Sequence, residues 1–360
     1  MIMKNNRVSM LSKILAITSA SAFALIGCSD ATPSSSKAST ANAKVSVTTS
    51  FYPLTFLVNE IGQDHVEITD LTPPGADAHG VELSPKEIAD MQKSDVVFYL
   101  AKLSPAIDDA VASAKIDAIN IGEFVNLLKN EETGGEHAHD EHADDDEHAD
   151  DEHADHDEHA DDDEHADHDE HADDDEHADD DEHEHDHGIY DPHFWTDPER
   201  MADAAQAIAK TLEEKDPAHA DDYQANAKSI VTRLTDLDEK FSQTFSGTCE
   251  TKSFVVTHAA FGYLAHEYGL KQIGVAGIDP EFEPSPARIA EVKTLVDEEK
   301  INTIFTPTTG ETKVAQTVAK ETGAQFAILD VAATANGSTD YIGMMEKNLT
   351  ALSNSMRCTK

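Results

Sequence analysis

Ser84-Pro85-Lys86-Glu87 followed by Asp95-Val96-Val97-Phe98-Tyr99-Leu100 sets the start of a capped helix just ahead of a short apolar run. Serine at the cap, proline in the first turn and glutamate three residues on form a capping-box signature. The run that follows is short and apolar throughout, as a strand buried on both faces must be. Upstream, Val45 to Phe51 alternates in the β manner, Leu54 to Ile61 reads as a helix and Val66 to Leu71 as a further strand. Strands alternating with helices imply an α/β fold with a mostly parallel sheet and right-handed crossovers.

A second series lies downstream. Its expected strands are Ser253 to Thr257, Lys271 to Gly274, Thr303 to Phe305 and Ala327 to Leu329, with a helix through Phe261 and Tyr263 and helices from Ser285 to Glu299 and Thr312 to Thr322. Between the two series, Asp197-Pro198-Glu199 opens a helix reaching Lys215, and Pro217 breaks it. A longer helical pattern then runs from about Ala220 to Phe245, with Ile230, Leu234, Leu237 and Phe241 spaced three to four apart and no turn signal. Two α/β lobes joined by one long helix is the simplest assembly. The expected boundaries are 44–218 for the first lobe, 219–247 for the linking helix and 248–360 for the second lobe.

Within the first lobe, residues 136–187 use only four residue types: 30 Asp/Glu, 14 His and 8 Ala. No core can be built from that composition, so the insert is expected to be solvated and disordered. Its histidines are His137, His139, His142, His148, His153, His156, His159, His165, His168, His171, His177, His183, His185 and His187. Imidazole and carboxylate are the usual donors for zinc-like metals, so the insert reads as an auxiliary metal collector. An acidic spacer is the competing reading. Acid alone would serve that purpose, yet 14 of the chain's 20 histidines are concentrated here.

The formal charge is −46, of which the insert supplies −30 and the rest of the chain −16. That balance argues against nucleic acid or an anionic membrane surface as a partner and fits attraction of cations. Lys4, Arg7 and Lys13 precede an apolar run from Ile14 to Ile26, too short for an ordinary spanning helix and flanked like a secretory signal. Leu25-Ile26-Gly27-Cys28 resembles a bacterial lipobox, which implies a signal peptide over 1–27 and a lipid anchor on Cys28. Residues 28–43, rich in Ser, Thr and Ala, read as a tether. The remaining cysteines, Cys249 and Cys358, are expected to pair as a disulfide in an oxidising compartment.

Outside the insert stand six histidines: His65, His79, His193, His219, His258 and His266. His79, His193 and His258 fall in loops or at expected strand ends, where open α/β sheets place ligand sites. A lone histidine is more often structural. Three in such positions point to a shared metal site without deciding it.

The motifs around them narrow the reading. Gly75-Ala76-Asp77-Ala78-His79, Asp191-Pro192-His193-Phe194-Trp195-Thr196-Asp197-Pro198 and Thr257-His258-Ala259-Ala260-Phe261-Gly262-Tyr263 occur in that order. Asp216-Pro217 with Tyr223 and Asn226, Glu283-Pro284-Ser285, and Glu321-Thr322-Gly323-Ala324 leading to Leu329-Asp330 accompany them. From Val45 onward the chain resembles the metal-receptor lipoproteins of bacterial ABC importers, the zinc-binding ZnuA type and its manganese-binding relatives. The resemblance implies two lobes, a rigid linking helix and one metal in the interlobe cleft, with a His-rich loop placed where this insert lies. It implies a monomer held outside the cytoplasmic membrane by its lipid, with an importer permease as partner.

Carried over residue by residue, the ligands are His79 and His193 from the first lobe and His258 from the second. Asp330 matches a carboxylate position of the second lobe. Many relatives place a glutamate after the preceding strand, where this chain reads Ile304-Phe305-Thr306-Pro307-Thr308 and has no carboxylate before Glu311. The fourth ligand is therefore Asp330 or water. Three neutral imidazoles favour Zn2+ over manganese, although copper and nickel are not excluded by affinity. The alternatives are a manganese or other divalent-metal receptor, a surface metal scavenger or adhesive lipoprotein, and a secreted zinc hydrolase. The hydrolase reading lacks His-Glu-x-x-His and an obvious general base.

Overall fold

Two four-stranded parallel sheets carry the chain, and both have the strand order second, first, third, fourth. The computed structural model describes residues 44–134, 189–278, 284–307, 312–335, 337 and 339–359, with backbone alone at 312–315. The expected signal peptide, the expected tether with Cys28, the fourteen insert histidines, Glu283, Thr308 and Glu311 lie outside the described residues.

The first sheet is β1 (Val45–Thr49), β2 (Val66–Asp70), β3 (Val96–Tyr99) and β4 (Ala118–Asn120). Its crossovers are α1 (Tyr52–Gly62), α2 (Pro85–Met91) and α3 (Pro105–Ala114). The second sheet is β5 (Ser253–Val256), β6 (Lys271–Gly274), β7 (Thr303–Thr306) and β8 (Gln325–Ile328). Between them run α6 (Gly262–Glu267), α7 (Pro286–Glu298) and α8 (Thr312–Thr322). Every pairing is parallel. The central β5 is buried at all four positions, whereas the edge strand β8 is mostly exposed, as burial on both faces requires of central strands only.

The capping box at α2 is made in both directions: Glu87 N–H donates to Ser84 Oγ at 3.3 Å, and Ser84 N–H donates to Glu87 Oε2 at 2.7 Å. Asp197 caps α4 (Pro198–Lys215) through the amide of Glu199 at 2.8 Å. Then α5 (Ala220–Phe245) runs as one helix, its buried stripe including Ile230, Leu234, Leu237 and Phe241. It packs against α1 and α4 of the first lobe and against α9 (Tyr341–Ser355) at the C-terminus. Hydrophobic packing is continuous across the lobes, since one buried cluster contains Phe51, Trp195, Phe254 and Tyr341 together.

Three elements were absent from the sequence reading: α3, β4 and α9. β4 has three residues, all half-buried, too few for an alternation to register. The buried stripe of α9 includes Asn348, and Gly343 interrupts the helical signal. Phe51 also leaves β1 and becomes the residue ahead of α1, its ring tilted against Trp195 with the centroids 4.7 Å apart. Cys249 and Cys358 are joined by a disulfide, beside an antiparallel bridge in which Thr359 N–H donates to Thr248 O at 2.8 Å.

Candidate metal centre

In open parallel sheets a crevice forms at the carboxyl ends of the strands where the order reverses, here between β1 and β3 and between β5 and β7. His258 lies two residues beyond the end of β5. His79 sits in the β2–α2 loop, where Asp77 Oδ1 accepts its backbone N–H at 2.9 Å after a turn at Gly75 with φ +81°. Only glycine adopts that φ without cost, which is why the loop carries one.

His193 arrives differently. The segments flanking the insert pair with each other: Asn130 N–H donates to Ile189 O and Asp191 N–H to Leu128 O, both at 3.0 Å. The insert is thus closed at its base by a short antiparallel ladder, and His193 follows two residues later. Asp191 then fixes His193 by accepting its backbone N–H at 2.9 Å and contacting its Nδ1 at 2.8 Å, both through Oδ1.

One donor atom each from His79, His193 and His258 lies within 4.8 Å of the others. It is the single group of this kind among the described residues. His79 Nε2 stands 3.2 Å from His193 Nε2, and the three ring centroids are 5.0 to 5.8 Å apart. His258 Nε2 is 2.8 Å from the carbonyl of Ile278. A carbonyl only accepts, so that nitrogen carries the proton and Nδ1 keeps a lone pair. Burial, reinforced by the nearby His193, holds His79 down from 6.5 to about 3, with a backbone hydrogen bond at Leu103 opposing. Burial also lowers His258 well below the usual value, helped by His193 and His79. Both rings are neutral bases at pH 7, the form a metal ligand must take.

Asp330 is not in that group. Asn348 pins its backbone from both sides, and its Oδ1 accepts Ala332 N–H at 2.9 Å, serving a turn in which Ala332 has φ +58°. His65 and His219 stack on each other at 3.9 Å, contacting Asp222 and Asp216 respectively. His266 is likewise outside the cluster.

The sequence reading assigned no role to Asp191, Trp195, Tyr263 or Tyr341, which buttress the centre. Tyr263 donates its hydroxyl to Asp191 O at 2.6 Å and accepts Leu128 N–H at 2.8 Å. Tyr341 donates to Trp195 O at 2.5 Å. The Asp-x-His spacing was the available signal for Asp191. The tyrosines depend on long-range packing and left none.

Comparison with known proteins agrees in fold and family. The family described as zinc-uptake complex component A, periplasmic (ZnuA), matches residues 47–355. The high-affinity zinc uptake system protein ZnuA of Bacillus subtilis is 29% identical over 346 residues, covering 94% of this chain and 95% of that protein. A zinc-binding protein AdcA of Streptococcus pyogenes is 31% identical over 329 residues, covering 87% of this chain; the chain spans 56% of its length. Among solved structures, the laminin-binding protein Lmb of Streptococcus agalactiae is similar with a TM-score of 0.66 and 27% identity, covering 87% of this chain and all of Lmb. Zn(II)-bound AdcA of Streptococcus pneumoniae gives 0.64 and 25%, covering 87% of this chain and 58% of AdcA.

Proposed function

Because the chain belongs to the ZnuA family of zinc-uptake components, we propose that it captures Zn2+ outside the cytoplasmic membrane and delivers it to an ABC importer permease. The observation that carries this reading is the cluster of three imidazoles, two of them held neutral by burial. His79, His193 and His258 are the ligands, at Zn–N distances of about 2.0–2.1 Å once the ion is bound, and Asp330 or water completes a tetrahedron. Three nitrogen donors favour zinc over the oxygen-preferring manganese. The zinc-binding names of the relatives and the Zn(II)-bound AdcA structure support the same choice.

The ligands come from both halves of the chain, 44–218 and 248–360, with 219–247 as the link. A bound ion ties the two sheets together, and release needs only one imidazole to be withdrawn from an otherwise intact site. The insert collects metal beside the cleft, and Cys28 carries the lipid that keeps a monomeric receptor at the membrane. Nucleic acid is not a partner. No described helix is long and apolar enough to cross a membrane.

The receptor performs no catalytic turnover in this reading. Asp191, the carboxylate touching the cluster, is committed to His193 and supplies no general base for water. The test is competitive zinc titration of protein lacking residues 136–187, together with its His79→Ala, His193→Ala and His258→Ala forms. One tight ion in the parent, weakened at least tenfold in each variant, is expected. A His258→Ala form that binds like the parent would overturn the site.

A further inference from the structure

Asp191 is wholly buried, and its two carboxylate oxygens have unequal surroundings. Oδ1 accepts the backbone N–H of His193 and lies 2.8 Å from His193 Nδ1. Oδ2 has no hydrogen-bond partner among the described residues. It points toward Gly262 of the second lobe, where a Cβ would come within 2.9 Å of it. The peptide of the same residue is held by the Tyr263 hydroxyl at 2.6 Å. A buried carboxylate oxygen left unsatisfied costs stability, and such a group persists where function needs it.

We infer that Asp191 is the positioning residue of the metal centre: it fixes the ring and tautomer of His193 and supplies the cluster's buried negative countercharge. The inference rests on the proposed zinc site. Oδ1 already accepts a backbone N–H as a carboxylate oxygen does, so His193 Nδ1 is the donor across the second contact. The proton therefore resides on Nδ1, and the lone pair of Nε2 faces His79 Nε2 at 3.2 Å. Without Asp191 the ring is free to turn or to place its proton on Nε2, which blocks coordination. The charge acts as well. Three neutral imidazoles leave a dication uncompensated in a dry cleft, and a carboxylate one ring away offsets part of it through the polarised Nδ1–H bond. Tyr263 holds the Asp191 carbonyl from the second lobe, so His193 is oriented by both halves of the protein.

Asp191→Asn keeps the shape and an acceptor oxygen but loses the charge; Asp191→Ala loses both. Zinc affinity of the full mature chain is measured by competition with a strong chelator, which leaves weak insert sites empty. The His193 tautomer is read by 15N NMR of the metal-free, histidine-labelled protein, with the resonance assigned by its loss in His193→Gln. The expected results are an Nδ1–H tautomer in the parent, a mixed tautomer in Asp191→Ala, and zinc affinity about 10–100-fold lower in Asp191→Ala. Asp191→Asn falls between. Its metal-free thermal stability equals or exceeds that of the parent, since an unsatisfied buried charge has been removed. Affinities within twofold of the parent, an Nε2–H tautomer in the parent, or stability falling in step with affinity would each overturn the inference. A parent that fails to bind one tight ion would instead reject the zinc site, and the tautomer measurement, which needs no metal, reads Asp191 separately.

Discussion

Trp195 reaches across the lobe seam to donate its indole N–H to the carbonyl of Val331 at 2.8 Å, while its ring lies 5.1 Å from that of His193. One buried side chain thus backs a proposed ligand and holds the backbone one residue beyond Asp330. Trp195→Phe orphans the Val331 carbonyl and leaves a void against Phe51, at a cost of about 2–4 kcal/mol. Equilibrium denaturation of the metal-free protein should give a loss of that size. A change below about 0.5 kcal/mol would mean that the contact carries little of the seam.

Metal-free stability should fall on acidification. In the unfolded chain His79 and His258 take a proton near 6.5, whereas the fold holds His79 to about 3 and His258 well below the usual value, chiefly by burial. Between those values the unfolded state binds more protons, so the contribution is fully present above pH 6.5 and is lost as pH falls toward 3. The slope approaches about 1.4 kcal/mol per pH unit for each histidine. Urea melts of the parent and of His79→Gln/His258→Gln between pH 7.5 and 4.5 measure it; equal slopes in the two proteins would refute the assignment.

Reducing the Cys249–Cys358 bridge releases a loop with a sequence separation of 109, worth about 4–5 kcal/mol in the chain-entropy picture. The unfolding midpoint should drop accordingly on reduction or in Cys249→Ser/Cys358→Ser. Mass spectrometry of non-reduced peptides tests the pairing directly, and two free thiols in protein folded under oxidising conditions would reject it.

The elements legible in the sequence were those whose signal is local. The capping box at Ser84, the proline-led start of α4 and the apolar stripe of α5 each specify themselves within a few residues. The three clustered histidines were legible because His79 and His258 lie in loops that follow strands, while His193 sits in the Asp191-Pro192-His193 motif directly after the insert. What stayed hidden is long-range. The ladder joining Leu128–Asn130 to Ile189–Asp191 spans the insert, and the roles of Tyr263 and Tyr341 depend on which backbone carbonyl the fold delivers to each hydroxyl. Asp330 matches a family carboxylate position, and the backbone contact that its Oδ1 makes to Ala332 N–H is likewise a feature of the fold that no local signal announces.

Gly262 has no room for a side chain. A Cβ there would lie 2.3 Å from Thr133 Cβ, 2.8 Å from Thr133 O and 2.9 Å from Asp191 Oδ2. Backbone cannot yield as a flexible side chain does, so Gly262→Ala should destabilise by about 1–3 kcal/mol. It should also weaken zinc binding by displacing the Asp191–His193 unit. Thermal melts with chelator competition check both effects, and unchanged values for both would show that the two lobes do not meet at this point.

Deleting residues 136–187 should lower the number of zinc ions bound while sparing one tight ion. The proposed tight site uses His79, His193 and His258, none of which lies in the insert. The ladder at the insert's base, with Asn130 N–H donating to Ile189 O and Asp191 N–H to Leu128 O, is made by residues outside the deletion. His193 should therefore keep its place when the insert is gone. The last insert histidine, His187, precedes His193 by six positions in sequence, so under the proposed division of labour metal taken up there would be released close to His193. Uptake by cells carrying the deletion should consequently suffer when zinc is scarce and recover when it is abundant. Stoichiometry by elemental analysis and affinity by chelator competition decide the point. Loss of the tight ion along with the weak ones would mean that the insert supplies a primary ligand.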